Sequence, residues 1–113
     1  MTRTFRFLAR TGIVAVTVTI PLIFGAPAQA ALHYQWDRLA QCESGGNWRA
    51  NTGNGYYGGL QFSHRTWTAF GGKSYARTAN KATRLQQIAI AEKVLRTQGW
   101  KAWPACSRKA GVR

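Results

Sequence analysis

The chain has 113 residues, with 16 Lys+Arg against 3 Asp+Glu and a formal net charge of +13 at neutral pH. That length is the size of one small domain. The positive field attracts polyanions such as nucleic acid, anionic membrane or acidic wall polymers, and it names a class of partner without naming a reaction.

The first 30 residues read as a targeting segment. Arg3, Arg6 and Arg10 form a positive start, and Thr11 to Ala26 carries no charge and is rich in Ile, Val, Leu and Phe. Ala28-Gln29-Ala30 supplies the small residues a signal peptidase reads. The rival is an uncleaved anchor, since Thr11 to Leu32 is long enough to span a bilayer, but Pro21 and the threonines weaken it. Cleavage after Ala30 is the expectation, leaving a secreted or wall-associated domain over 31–113. Taking Arg3, Arg6 and Arg10 out of +13 leaves that domain at +10. A protein exported from a walled bacterium meets anionic wall polymers first, so these rather than nucleic acid are the expected polyanion.

Export also means an oxidising compartment, where Cys42 and Cys106 allow a single intramolecular bridge. Loop-closure entropy makes so long a bridge worth about 4 kcal/mol. A domain of this size needs such a staple.

Along the domain, Trp36, Leu39, Ala40 and Glu43 fall at i, i+3, i+4 and i+7, one face of a helix that Asp37 can open and Gly45-Gly46 closes. Asn47 to Gly59, dense in Asn, Gly, Tyr and Trp, is a loop or a short irregular hairpin around Asn54-Gly55. Leu60 to Phe70 predicts a second short helix ended by Gly71-Gly72. Thr83-Arg84-Leu85-Gln86 has capping-box spacing and opens a third helix to about Gln98, with Leu85, Ile88, Ala91 and Leu95 as its apolar stripe. Gly53 to Gly58 matches G-x-G-x-x-G by letter, yet no strand pattern precedes it and no acid follows at the required distance. Dinucleotide binding is therefore set aside.

Few groups are available for chemistry. His33 and His64 lack ligand spacing, so no metal and no other cofactor is expected. Asp37 has a capping role open to it, and Glu92 has Arg96 four residues on for an exposed ion pair. Glu43 differs, because its helix face carries it inward and the negative end of the helix dipole lies beside it. Both effects favour the protonated form, as a general acid at neutral pH requires. A buried structural glutamate is the competing reading. Asn51, Asn54 and Gln61 can pair with sugar hydroxyls and acetamido groups, and Tyr56, Tyr57 and Trp67 can stack on pyranose faces.

Cys42-Glu43-Ser44-Gly45-Gly46-Asn47-Trp48, the stretch from Asn51 to Phe62, Thr66-Trp67 and Ala102-Trp103-Pro104-Ala105-Cys106 together resemble the transglycosylase-like domain of resuscitation-promoting factors. The resemblance covers nearly all of 31–113. It implies an α+β, lysozyme-like, mostly helical domain with a glycine-rich loop or short hairpin and one disulfide, Cys42–Cys106. It implies Glu43 as the catalytic residue of a muralytic enzyme that cuts the β-1,4 bond between N-acetylmuramic acid and N-acetylglucosamine. Peptidoglycan glycan strands would be the substrate, a peptidoglycan endopeptidase a partner, and promotion of growth or resuscitation the outcome. A non-catalytic glycan-binding or signalling module is the alternative. Leu85 departs from the acidic residue the family pattern leads one to expect there.

Overall fold

The computed structural model describes residues 31–113; the expected targeting segment and its cleavage site lie outside the described residues. Helix α1 spans His33–Ser44, and a two-stranded antiparallel hairpin pairs β1 (Tyr56–Tyr57) with β2 (Phe62–Ser63) in the register Tyr56↔Ser63 and Tyr57↔Phe62. Helix α2 is His64–Ala69, α3 is Arg84–Gln98 and α4 is Pro104–Lys109, with 3-10 turns at Gly72–Ser74, Ala79–Lys81 and Gly99–Ala102. Helices dominate, and Cys42 and Cys106 are joined across a Cα separation of 5.6 Å.

α1 begins four residues before Asp37, because the Gln35 side chain accepts the Leu32 N–H (2.9 Å) and caps the earlier start. Asp37 therefore lies in the second turn, where both its oxygens accept from Arg84 at 2.8 Å. The helix stops as expected: Gly45 adopts φ +68° and returns its N–H to Gln41, a conformation that favours glycine.

The hairpin bends one step later than the sequence suggests. Asn54-Gly55 precedes β1, and the turn is made by Gly58 to Gln61. Leu60 to Phe70 is consequently not one helix. Gln61 sits at φ +56°, which helical backbone excludes, and Ser63 Oγ then caps α2 by accepting the Thr66 N–H (3.1 Å).

The core joins Trp36, Leu39 and Ala40 of α1 to Leu60, Phe62, Trp67 and Trp103 and to the inner face of α3. That face is Gln87, Ile88, Ile90, Ala91, Val94 and Leu95. Leu85 is not part of it and stays 57% exposed. At 3.6 residues per turn it sits about 120° round the helix from Ala91, so burying it would rotate Gln87 out. Trp36 and Trp103 meet edge to face with centroids 5.3 Å apart. The buried indoles find acceptors: Trp103 Nε1 donates to the Leu60 carbonyl (3.0 Å) and Trp67 Nε1 to that of Ala76 (2.8 Å).

Candidate active site

Glu43 occupies the last turn of α1, one residue after the bridged Cys42, and its side chain is half-buried. Ser44 fastens this end of the helix to the hairpin turn. Its Oγ donates to Gly59 O (2.9 Å) and to Ala40 O (3.1 Å), and accepts the Asn47 N–H (3.1 Å). Gly59 can lie this close only as glycine, because a Cβ there would stand 2.4 Å from the Trp48 ring. The turn is thus pressed against the helix that carries Glu43.

Between them opens a cleft of about 370 Å³. Glu43 forms one part of its wall, Asn54, Tyr56 and Gln61 of the hairpin region a second, and Ala102, Trp103 and Pro104 a third. A smaller hollow of about 100 Å³ shares Tyr56, Gln61, Ala102 and Trp103 and extends the groove toward Ser63, Thr66 and Gln98. The amides are ordered before any ligand arrives: Asn54 Nδ2 donates to Gln61 Oε1 (3.3 Å), and Gln61 Nε2 donates to Gly58 O (3.1 Å). Gln61 holds its left-handed backbone at this point, the kind of strained residue that accumulates at functional sites.

Burial pushes the Glu43 carboxyl above its ordinary range. Among the described residues no donor lies within hydrogen-bonding distance of that carboxylate to offset the effect. The other two acids are committed elsewhere. Asp37 is clamped by Arg84, and Glu92 takes the Trp36 indole N–H on Oε2 (2.7 Å) and the Ala31 N–H on Oε1 (3.3 Å). The expected Glu92–Arg96 pair does not form, because the indole and the start of the domain draw that carboxylate toward α1. Neither acid lines the cleft.

Of the residues expected to bind sugar, the fold brings Asn54, Tyr56 and Gln61 to Glu43. Strand alternation turns Tyr57 the other way, onto the core, and leaves Tyr56 49% exposed beside the cleft. Asn51 is exposed in the preceding loop, outside the lining. Trp67 has no exposed surface, packs on Phe62 and lies so near Gly72 that a Cβ there would be 2.2 Å away. It is a core residue in this fold and offers no face to a ligand.

Trp103 and Pro104 line the cleft and were not among the expected site residues. The disulfide is the signal that pointed to them, since joining Cys106 to the neighbour of Glu43 draws the segment just before Cys106 to the same place.

A helix bearing one raised carboxyl, facing a hairpin across a groove lined by amides and aromatic edges, defines the class, a transglycosylase-like domain. The family model of that description, Transglycosylase-like domain, matches residues 30–106. Among relatives, the chain is 62% identical over 90 residues to Resuscitation-promoting factor Rpf1 of Corynebacterium glutamicum, covering 80% of this chain and 47% of that protein. It is 56% identical over 87 residues to Resuscitation-promoting factor RpfA of Mycobacterium tuberculosis, covering 77% of this chain and 21% of that protein. With Resuscitation-promoting factor RpfC of the Erdman strain of the same species it shares 49% over 113 residues, 99% of this chain and 79% of that one. The chain belongs to the resuscitation-promoting factor family. It spans less than half the length of the Corynebacterium glutamicum and RpfA proteins.

Proposed function

We propose that this domain cleaves peptidoglycan glycan strands at the β-1,4 bond between N-acetylmuramic acid and N-acetylglucosamine, with Glu43 as the lone acid. The observation that carries the reading is Glu43 itself: a carboxyl raised by burial, without a donor among the described residues, on the wall of an open groove. A structural glutamate would be hydrogen-bonded, as Glu92 is.

In the reaction, protonated Glu43 gives its proton to the glycosidic oxygen as the C–O bond breaks and positive charge grows on the muramoyl anomeric carbon. Glycosidases of the two-carboxylate kind place a second acid across the bond, and neither Asp37 nor Glu92 reaches the cleft. The substrate's own N-acetyl oxygen takes that role here. Asn54 and Gln61 pair with acetamido and hydroxyl groups, and the edges of Tyr56 and Trp103 meet the apolar faces of the rings. Glu43, now a carboxylate, then acts as base. Deprotonating the muramoyl 6-hydroxyl gives a 1,6-anhydro product; deprotonating water gives a reducing end.

Among the described residues no helix is long and apolar enough to cross a membrane. The test is mass spectrometry of the products from purified peptidoglycan treated with the native protein and with Glu43→Gln. Release of disaccharide-peptides by the native protein alone supports the proposal, and their terminal mass separates the two products. Equal release by both proteins would remove Glu43 from the mechanism.

A further inference from the structure

A second hollow, of about 550 Å³, lies beside the first turn of α3 and is lined by Arg49, Asn80, Lys81, Ala82 and Thr83. The glycan groove approaches the same helix at its other end, through Gln98, so the two openings are separate. The hollow is held from beneath by Gln87, which is fully buried. Its Nε2 donates to Trp48 O (2.8 Å) and to Ala82 O (3.1 Å), and its Oε1 accepts the Gly59 N–H (2.9 Å). One amide therefore ties the residue before Arg49 to the residue before Thr83, and sets the two walls at a constant distance.

The lining is one-sided in its chemistry. The Thr78 hydroxyl donates to Asn80 Oδ1 (2.7 Å), which leaves the Asn80 NH2 without an acceptor among the described residues. Thr83 Oγ1 accepts the Gln86 N–H (3.1 Å), so its own proton remains to be donated. Arg49 and Lys81 have no carboxylate partner among the described residues, where Asp37 is taken by Arg84 and Glu92 by Trp36 and Ala31. Guanidinium, ammonium, amide and hydroxyl groups line the hollow as donors, and no acid is among the lining residues. An anion with several acceptor oxygens satisfies such a set, and a phosphate suits a guanidinium fork best.

We propose that this hollow binds phosphodiester groups of an anionic wall polymer, a polyol- or sugar-phosphate chain carried by the same wall. The choice of polymer rests on the peptidoglycan reading above; the anion site itself does not. Binding there would hold the enzyme near its glycan and raise the effective concentration of cleavable strands.

The experiment is calorimetric titration of the protein with a poly(glycerol phosphate) oligomer at low and moderate salt. Arg49→Gln/Lys81→Gln should weaken binding about tenfold or more and flatten the dependence of log K on log salt by roughly 0.7 for each lost contact. Lys73→Gln/Arg96→Gln removes the same charge from exposed positions outside the hollow and should cost less than about twofold. Equal losses in the two variants would reduce the effect to the overall field and sink the site. Tighter binding of single-stranded DNA of matched length, with the same dependence on Arg49 and Lys81, would assign the hollow to nucleic acid and overturn the wall-polymer choice. Chemical-shift mapping on the unsubstituted protein guards against misfolded variants: perturbations should concentrate at Arg49 and at residues 80 to 83, and a diffuse pattern would count against the site. Glu43→Gln should bind the oligomer as the native protein does. If that variant still cleaved wall, the catalytic reading would fall while the titration stood; a native protein that cleaves wall but does not bind the oligomer would defeat only the present proposal.

Discussion

The two ends of α1 treat carboxylates in opposite ways. Toward its start, Asp37 is held by two bonds from Arg84 at 2.8 Å, and Glu92, reaching over from α3, is held by Trp36 and Ala31. At its far end Glu43 is half-buried with no such donor among the described residues, and its carboxyl is raised. In a chain with only 3 acids, that contrast separates the two carboxylates engaged by donors from the one that is not, the acid the proposed reaction uses. Desolvation without a donor holds the Glu43 proton to higher pH than an ordinary glutamate would.

The sharpest way to break the comparison is to exchange the roles. Glu43→Gln should lower wall cleavage by roughly 10²–10⁴-fold, the usual worth of a general acid, and by more because the same group returns as base. Asp37→Asn and Glu92→Gln should leave turnover per folded molecule close to native. If Asp37→Asn inactivates as thoroughly as Glu43→Gln without unfolding, a two-carboxylate mechanism replaces the single-acid one. The melting temperature should move the other way. Because the folded pKa of Glu43 lies above the unfolded value, its contribution to stability is full below the unfolded value and is lost as pH rises through the folded one. A permanently neutral Gln avoids that loss, so Glu43→Gln should melt at or above the native temperature at neutral pH. A lower melting point there would reveal a stabilising bond to the carboxylate. The same sign governs catalysis: the native pH–rate profile should fall on its alkaline side as Glu43 loses the proton it donates, above the range of an unperturbed glutamate.

The next largest effect belongs to the bridge. Cys42 and Cys106 are 64 positions apart, and loop-closure entropy assigns such a link about 4 kcal/mol. Cys106→Ser should lower the melting temperature by roughly 15 °C or more in a domain this small. It should also reduce cleavage in the folded protein, because Trp103 and Pro104 would no longer be drawn against Glu43. Cleavage unchanged at a temperature where the variant is folded would show that the cleft wall is positioned by α4 packing alone.

Legibility in the sequence follows the range of the interactions involved. α1 and α3 were readable because their determinants are local: apolar spacing with Gly45-Gly46 for one, Thr83 and Gln86 for the other, whose capping box forms as expected. The placement of Glu43 on the inward side of α1, half-buried at the cleft, was readable for the same reason, since helix period alone turns it inward. The hairpin was legible only as one of two options, and the position of its bend was not. Its bend is set by Gln87 on the Gly59 N–H and Ser44 on the Gly59 carbonyl, contacts spanning 28 and 15 residues, and by the positive φ of Gln61. Nor does local sequence distinguish a tryptophan that reaches the cleft wall from one that only fills the core. Trp67 and Trp103 are both core residues, yet Trp103 alone of the two also lines the cleft. Leu85 shows the limit of counting apolar positions, because a polar residue with three hydrogen bonds, Gln87, held the inner face in its place.

The smallest predicted effect concerns the start of the domain. If the targeting segment is removed after Ala30, the nitrogen of Ala31 becomes an α-ammonium, and it stands 3.3 Å from Glu92 Oε1. The other oxygen of that carboxylate holds the indole of Trp36, which is fully buried and packs on Trp103 in the cleft wall. Processing would therefore turn a neutral amide contact into a charge pair on a group already tied into the core. Glu92→Gln keeps an acceptor for the indole and removes the charge, so it should cost about 1–2 kcal/mol, the difference between a charged and a neutral acceptor together with the pair. Adding one glycine before Ala31 moves the ammonium away and leaves Glu92 intact; it should cost about 0.5 kcal/mol, in the range of an exposed pair. In Glu92→Gln the added glycine should have no further effect, which makes the two changes a double-mutant cycle. If the glycine costs the same in both backgrounds, the ammonium stabilises the domain through something other than Glu92, and the two ends of α1 differ only in their side-chain donors.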